Sequence, residues 1–167
     1  MTEKSKIYQT SNLNITRAFT IILLIICSDQ ASKYFILKLF ESNAWANHHQ
    51  VLPFFNLSIV WNYGISFGIF NQLAQHQIIL ILLSFSISIA LIFWLLKSGD
   101  KTLELPISMV IGGAYGNVID RIHYGAVFDF LDFHIARYHY PAFNVADSFI
   151  VIGGFLLVLC SKKSKNT

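Results

Sequence analysis

Within "GNVIDRIHYGAVFDFLDFH", residues 116–134, three carboxylates stand close together: Asp120, Asp129 and Asp132. A fourth, Asp147, follows in "PAFNVADS", and an acid and an amine, Asp29 and Lys33, share "DQASK" near the start of the chain. Two carboxylates gathered in a partly dry site cannot comfortably both ionise, so one keeps a proton while the other serves as a base. An aspartyl hydrolase needs that pairing. The ionised group takes a proton from water, the protonated one donates to the substrate carbonyl, and the roles reverse as the amine leaves. Asp129, in a loop and flanked by Phe128 and Phe130, is the better buried candidate, and Asp147 supplies a partner from the start of a helix. Asp132 reads as an ordinary exposed loop acid.

Each of these residues also has a purely structural reading. Asp29 and Lys33 are four apart on a helix and can neutralise each other side by side, whereas a Ser32–Lys33 dyad fails because adjacent helical residues do not face each other. In "GGAYGNVIDR", Asn117 stands one turn from Asp120 and Arg121, so one helical face can carry all three toward a common cavity, or they can form a satisfied polar helix end. Gly112 and Gly116 have the small-xxx-small spacing that lets another helix approach. In "PAFNVADS", Pro141 can precede a helix, Asn144 can cap it and Asp147 can occupy its third position, where the helix dipole favours an acid.

Other chemistries are poorly represented. There is no "HExxH", no Gly-x-Ser-x-Gly elbow and no Cys and His spacing typical of zinc. His134 and His139, five apart in "HIARYH", read as interfacial polar residues rather than ligands. No metal or other cofactor is expected. Cys27 and Cys160 lie in apolar runs, where a thiol behaves as a small hydrophobe.

The elements that must carry these residues are those of a membrane protein. Of 167 residues, 54% are hydrophobic, 15% aromatic and only 13% charged, against roughly 25% charged in a soluble domain. Nothing divides the chain, so residues 1–167 read as one membrane-embedded domain. The basic residues behind the net charge of +3 are not interleaved with aromatics on one polar segment, which argues against a nucleic-acid partner. Four apolar segments, at about 18–39, 77–97, 103–121 and 143–160, are long enough to span a bilayer. Lys4, Lys6 and Arg17, then Lys97 and Lys101, then Lys162, Lys163 and Lys165 fall on one side of four spans, which puts both termini in the cytoplasm and residues 41–76 and 122–141 outside. The polar interruptions of segments one, three and four then meet at one depth near the outer leaflet, where ionisable groups must face the bundle interior or a wet cavity. "VLPFFNLSIVWNYGISFGIF", rich in aromatic and β-branched residues, suggests a short sheet at that interface, with Trp45 and Trp61 as belt residues.

Five stretches together resemble the bacterial lipoprotein signal peptidase (signal peptidase II) family: "DQASK" at 29–33, "NYGISFG" at 62–68, "GGAYGNVIDR" at 112–121, "VFDF" at 127–130 and "FNVAD" at 143–147. The resemblance implies an integral membrane, mainly α protein. It would have four transmembrane helices and a small extracytoplasmic β-cradle, in the bacterial cytoplasmic (inner) membrane. It implies an aspartic endopeptidase that removes the signal peptide of a lipidated prolipoprotein just before its diacylglyceryl-modified cysteine, with membrane lipid as surroundings. Asp129 and Asp147 would form the dyad; Asn62, Asn117, Arg121 and Asn144 would line or organise the substrate site, and Asp29, Lys33 and Asp120 would support the framework. Two rival classes remain open from the residues alone: a small transporter relaying protons through Asp29, Asp120 and Asp147, and an assembly factor whose polar groups only lock helices together.

The Lys and Arg asymmetry makes a direct prediction. A single cysteine introduced near Ala46 reacts with an impermeant thiol reagent from the outer side of the membrane; labelling only from the cytoplasmic side reverses the topology.

Overall fold

The computed structural model describes residues 13–43, 45–64 and 76–164; residues 65–68 of "NYGISFG" and the flanking Lys4, Lys6 and Lys165 lie outside them. Helix α1 (Ile15–Asn43) is followed by a hairpin of β1 (His48–Leu52) and β2 (Phe55–Asn62). Then come α2 (His76–Ser98) and a 3-10 turn (Lys101–Leu103) leading into α3 (Glu104–Tyr124). β3 (Val127–Ile135), the short β4 (Tyr138–His139) and α4 (Val145–Ser164) complete the order.

Helix α3 is central and packs against α1, α2 and α4. Its glycines permit the approach. A Cβ on Gly112 would lie 2.9 Å from Ile25 Cβ of α1 and one on Gly116 2.7 Å from Asp29 Oδ2 of α1, while one on Gly113 would meet the Ala146 carbonyl oxygen of α4. The small-residue spacing therefore does bring helices together, as the sequence suggested. Gly125 ends α3 in the left-handed conformation, φ 69°, its N–H bonded to the Arg121 carbonyl at 3.1 Å. That turn aims the chain directly into β3.

The helices are apolar on the outside. Phe19, Leu24 and Phe35 of α1, Ile78, Leu82 and Phe93 of α2, and Val151, Phe155 and Val158 of α4 are all exposed, an extent of bare hydrophobic surface that water does not tolerate on a monomer. By length and hydropathy, Ile15–Asn43 and Gln77–Ser98 qualify as membrane spans. The apolar part of α4, Val145–Ser161, is shorter, and α3 has Glu104 at one end and Asp120 and Arg121 at the other. Between the helices the interior is divided. A cluster of Leu95, Leu103, Ile107, Ile111 and Leu157 fills one end, and polar side chains occupy the other.

The expected sheet is present, with four antiparallel strands in the order β1-β2-β3-β4. It draws on both outer segments, since β3 and β4 come from 122–141. Its register decides the site. Leu57 pairs with Leu131, but Val60 pairs with Asp129, so β2 carries one extra residue between those pairs. Side chains alternate along a strand, so the bulge reverses which face the even-numbered residues of β2 occupy. Asn56 shares a face with Asp132, whereas Asn62, beyond the bulge, shares the opposite face with Asp129. Phe128 anchors the sheet to α3. It is fully buried beside Trp61, ring centroids 5.3 Å apart, and Phe130, 5.6 Å, burial of a kind that contributes about 1.5–3 kcal/mol.

Candidate active site

Asp129 and Asp147 line one cavity of about 710 Å³. Asn62, Asn117 and Arg121 complete its polar end, and Leu80, Leu83 and Ile87 of α2 with Ile150 and Val151 of α4 form apolar wall. Asp129 reaches it from β3, a strand rather than the loop that the sequence suggested. Asn62 Nδ2 donates to Asp129 Oδ2 at 3.0 Å and Asn144 Nδ2 to Oδ1 at 2.7 Å, so the carboxylate is gripped on both oxygens. Asp147 Oδ1 accepts from Asn117 Nδ2 at 2.8 Å.

Asp147 also caps its helix. Its N–H donates to Asn144 Oδ1 at 2.9 Å while its own Oδ2 accepts from the Asn144 N–H at 3.3 Å, a reciprocal capping box. The structural reading of "FNVADS" is thus realised, and it leaves the second oxygen turned toward Asn117. Asn117 and Asn144 are joined as well, Asn144 Nδ2 to Asn117 Oδ1 at 3.1 Å. One amide pair therefore spaces the two aspartates.

Behind this layer lies a buried ionic cluster. Lys33 Nζ is 2.7 Å from Asp29 Oδ2 and 2.7 Å from Asp120 Oδ2, and both carboxylates are fully buried. The same ammonium donates to Asn117 Oδ1 at 3.3 Å. Asp29 Oδ1 accepts from the Ala146 N–H at 2.9 Å, and Asp120 Oδ2 from the Phe128 N–H at 3.1 Å. Each carboxylate therefore fixes the backbone next to one aspartate of the cavity.

Asp120 does not face the cavity with Asn117 and Arg121, as the helix spacing allowed; it turns toward α1, where Lys33 compensates its charge. Arg121 donates to the Gly64 carbonyl at 3.2 Å and holds the turn that follows β2. Gln30, not singled out in the sequence, joins Asp29 at 3.2 Å, the Gly116 carbonyl at 3.1 Å and Asp120 at 2.8 Å. Its place beside Asp29 in "DQASK" was the available signal.

Asp132 is not an exposed loop acid. It lies in β3 and is 9% exposed, on the face opposite Asp129, accepting from Asn56 at 3.0 Å and Ser58 at 3.3 Å, with His139 Nδ1 at 2.7 Å. The two acids titrate in opposite directions. Burial first, and the Asp147 charge second, push the Asp129 carboxyl up to about 7 against the opposing pull of Asn62, Asn144 and Lys33. Burial also raises Asp132, but its bonds to His139, Asn56 and Ser58 together outweigh it and hold that carboxyl below the ordinary range.

The family model described as "Signal peptidase (SPase) II" matches residues 21–163. Among similar proteins, the lipoprotein signal peptidase of Burkholderia thailandensis is 41% identical over 140 residues, 83% of this chain and 82% of that protein. That of Burkholderia multivorans is 43% identical over the same shares. Two solved structures described as a bacterial membrane enzyme, determined by the in meso method, are each 28% identical. One has a TM-score of 0.77 and covers 95% of this chain and 94% of its own; the other has 0.75, with 92% and 97%.

The cluster behind the cavity yields a stability prediction. Lys33→Met leaves two buried carboxylates facing each other without their cation, a loss of roughly 3–5 kcal/mol for breaking such a pair. Thermal unfolding of the purified variant should show a markedly lower midpoint and a reduced folded yield; an unchanged midpoint means the cluster contributes nothing.

Proposed function

Given that the chain belongs to the signal peptidase II family, we propose that it is an intramembrane aspartic endopeptidase. It removes the signal peptide from diacylglyceryl-modified prolipoproteins, cutting just before the lipidated cysteine. The observation that carries this reading is the convergence of Asp129 and Asp147 on one cavity, each held by an asparagine amide, with the Asp129 carboxyl pushed up to about 7.

The pair holds one proton near neutral pH. Its ionised member takes a proton from water as the water oxygen attacks the scissile carbonyl carbon, and its protonated member donates to the carbonyl oxygen. When the tetrahedral intermediate collapses, the C–N bond breaks. The proton taken from water passes to the leaving amine, and the carbonyl oxygen returns its proton to the other aspartate. No cofactor enters. Asn62 and Asn144 orient Asp129, Asn117 orients Asp147, and Arg121 lines the cavity wall while its guanidinium donates to the Asn117 and Gly64 carbonyls. Asp29, Lys33 and Asp120 form the framework behind them.

The cavity's form supports a substrate that is part lipid and part peptide, because its apolar wall between α2 and α4 leads to a polar end at the aspartates. We place the enzyme in the bacterial cytoplasmic membrane with four spans, both termini cytoplasmic and the dyad near the outer leaflet, following the Lys and Arg distribution. A proton relay through Asp29 and Asp120 has less support, since Lys33 closes both carboxylates off from the cavity.

Asp129→Asn and Asp147→Asn test the dyad. An amide is nearly isosteric but cannot exchange protons in this way, so each variant should lose at least ~100-fold in turnover of a lipidated precursor. The double variant should cost little more than either single one. Asp132→Asn, on the other face of the sheet, should retain turnover on matched amounts of folded protein. Substantial activity in Asp147→Asn returns that residue to helix capping alone.

A further inference from the structure

The Asn62 amide that grips Asp129 has a single oxygen, and that oxygen is occupied: Asn62 Oδ1 accepts from the Gly64 N–H at 3.0 Å. Its Nδ2 is therefore the atom left to face Asp129 Oδ2, at 3.0 Å. The aim of the amide thus depends on the turn of Asn62, Tyr63 and Gly64 with which β2 ends. Two helices hold that turn. Arg121 of α3 donates to the Gly64 carbonyl at 3.2 Å, and Gln77 Nε2 of α2 donates to the Tyr63 carbonyl at 2.6 Å.

Gln77 is not part of the dyad and is not among the residues that line the cavity. It is the second residue of α2, only 6% exposed, directly before the uncharged run "IILILLSFSISIALIFWLL". A buried amide is costly unless it is hydrogen-bonded, and an apolar side chain would continue the helix without that cost. What the amide adds is its bond to Tyr63. Leu80, one helical turn beyond Gln77, lies on the cavity wall with Leu83 and Ile87. Among the helices α2 packs chiefly on α3, so Gln77 ties this wall to the sheet side of the site.

We propose that Gln77 is a positioning residue: through the Tyr63 carbonyl it fixes the turn that aims Asn62 at Asp129, so that the grip on the aspartate depends on where α2 stands. This deepens the peptidase reading and rests on it. Burial and then the Asp147 charge raise the Asp129 carboxyl, and the Asn62 bond is the first of the pulls that oppose them. Loosening that bond favours the protonated form, so proton loss from Asp129 moves to higher pH. The charged groups facing Asp129 are Asp147 of α4, Lys33 of α1 and Arg121 of α3, and a neutral substitution at Gln77 leaves all three in place.

The test compares Gln77→Met, which keeps the side chain's length and removes its donor, with the wild-type protein. Two readouts are followed: infrared titration of the Asp129 carboxyl, which needs no catalysis, and the pH dependence of turnover of a lipidated precursor. The carboxyl titration and the alkaline limb of turnover should both move up by roughly half a pH unit or more, as for partial loss of a hydrogen bond to a charged group. At neutral pH kcat should fall about 10-fold with a smaller change in KM. In an Asn62→Leu background the same substitution should add almost nothing. If Gln77→Met does not fold, Gln77→Asn, polar but one methylene too short to reach Tyr63, takes its place with the same expectations. A wild-type protein that leaves the precursor intact overturns the peptidase reading and this inference with it. Wild-type titration and alkaline limb in the variant overturn this inference alone, as do an equal cost in the Asn62→Leu background and loss of folded protein in both variants.

Discussion

The site depends on one ammonium group. Lys33 lies between two fully buried carboxylates, Asp29 from its own helix and Asp120 from α3, at 2.7 Å from each. Buried ion pairs add little net stability compared with apolar packing, because desolvation offsets most of the attraction. What this one adds is position. Through Asp29 it holds the Ala146 N–H, one residue before Asp147, and through Asp120 it holds the Phe128 N–H, one residue before Asp129. Three elements distant in sequence are thereby referred to one point. Gly116 belongs to the same constraint, since a side chain there would occupy the space of the Asp29 carboxylate.

At Asp147 helix capping coexists with a place at the cavity. Its N–H and one carboxylate oxygen form the capping box with Asn144, while the other oxygen faces Asn117 at the cavity. The helix start is thus a rigid mount for Asp147, as the proposed chemistry requires of a group that must be locked in place. The β2 bulge plays the matching part for Asp129. Without that extra residue, Asn62 would lie on the face of Asn56 and Ser58, and one grip on Asp129 would be lost.

Much of this was legible in the chain. The Asp29–Lys33 spacing, the cap in "FNVADS", the close-packing glycines and the burial of Asp129 between two phenylalanines are local patterns with direct physical readings. Side-chain direction was harder to read. Asp129 and Asp132 differ by three positions, which separates their faces only if the segment is a strand, and "VFDFLD" by itself reads as a loop. Asp120 could have faced any of the three helices packed on α3; the tertiary position of Lys33 decided it. The bulge in β2 depends on pairing with β3, more than sixty residues away, and has no local signature.

The central claim is that this scaffold makes two aspartates share a proton at neutral pH. Infrared titration of the carboxyl stretch, comparing the wild-type protein with Asp129→Asn, tests it most directly. The account predicts a protonated-carboxyl band in the wild type that persists toward neutrality, disappears as the pH rises through about 7, and is missing from the variant. A wild-type protein whose difference band against Asp129→Asn is already gone at pH ~5, where an ordinary aspartate is ionised, would contradict it.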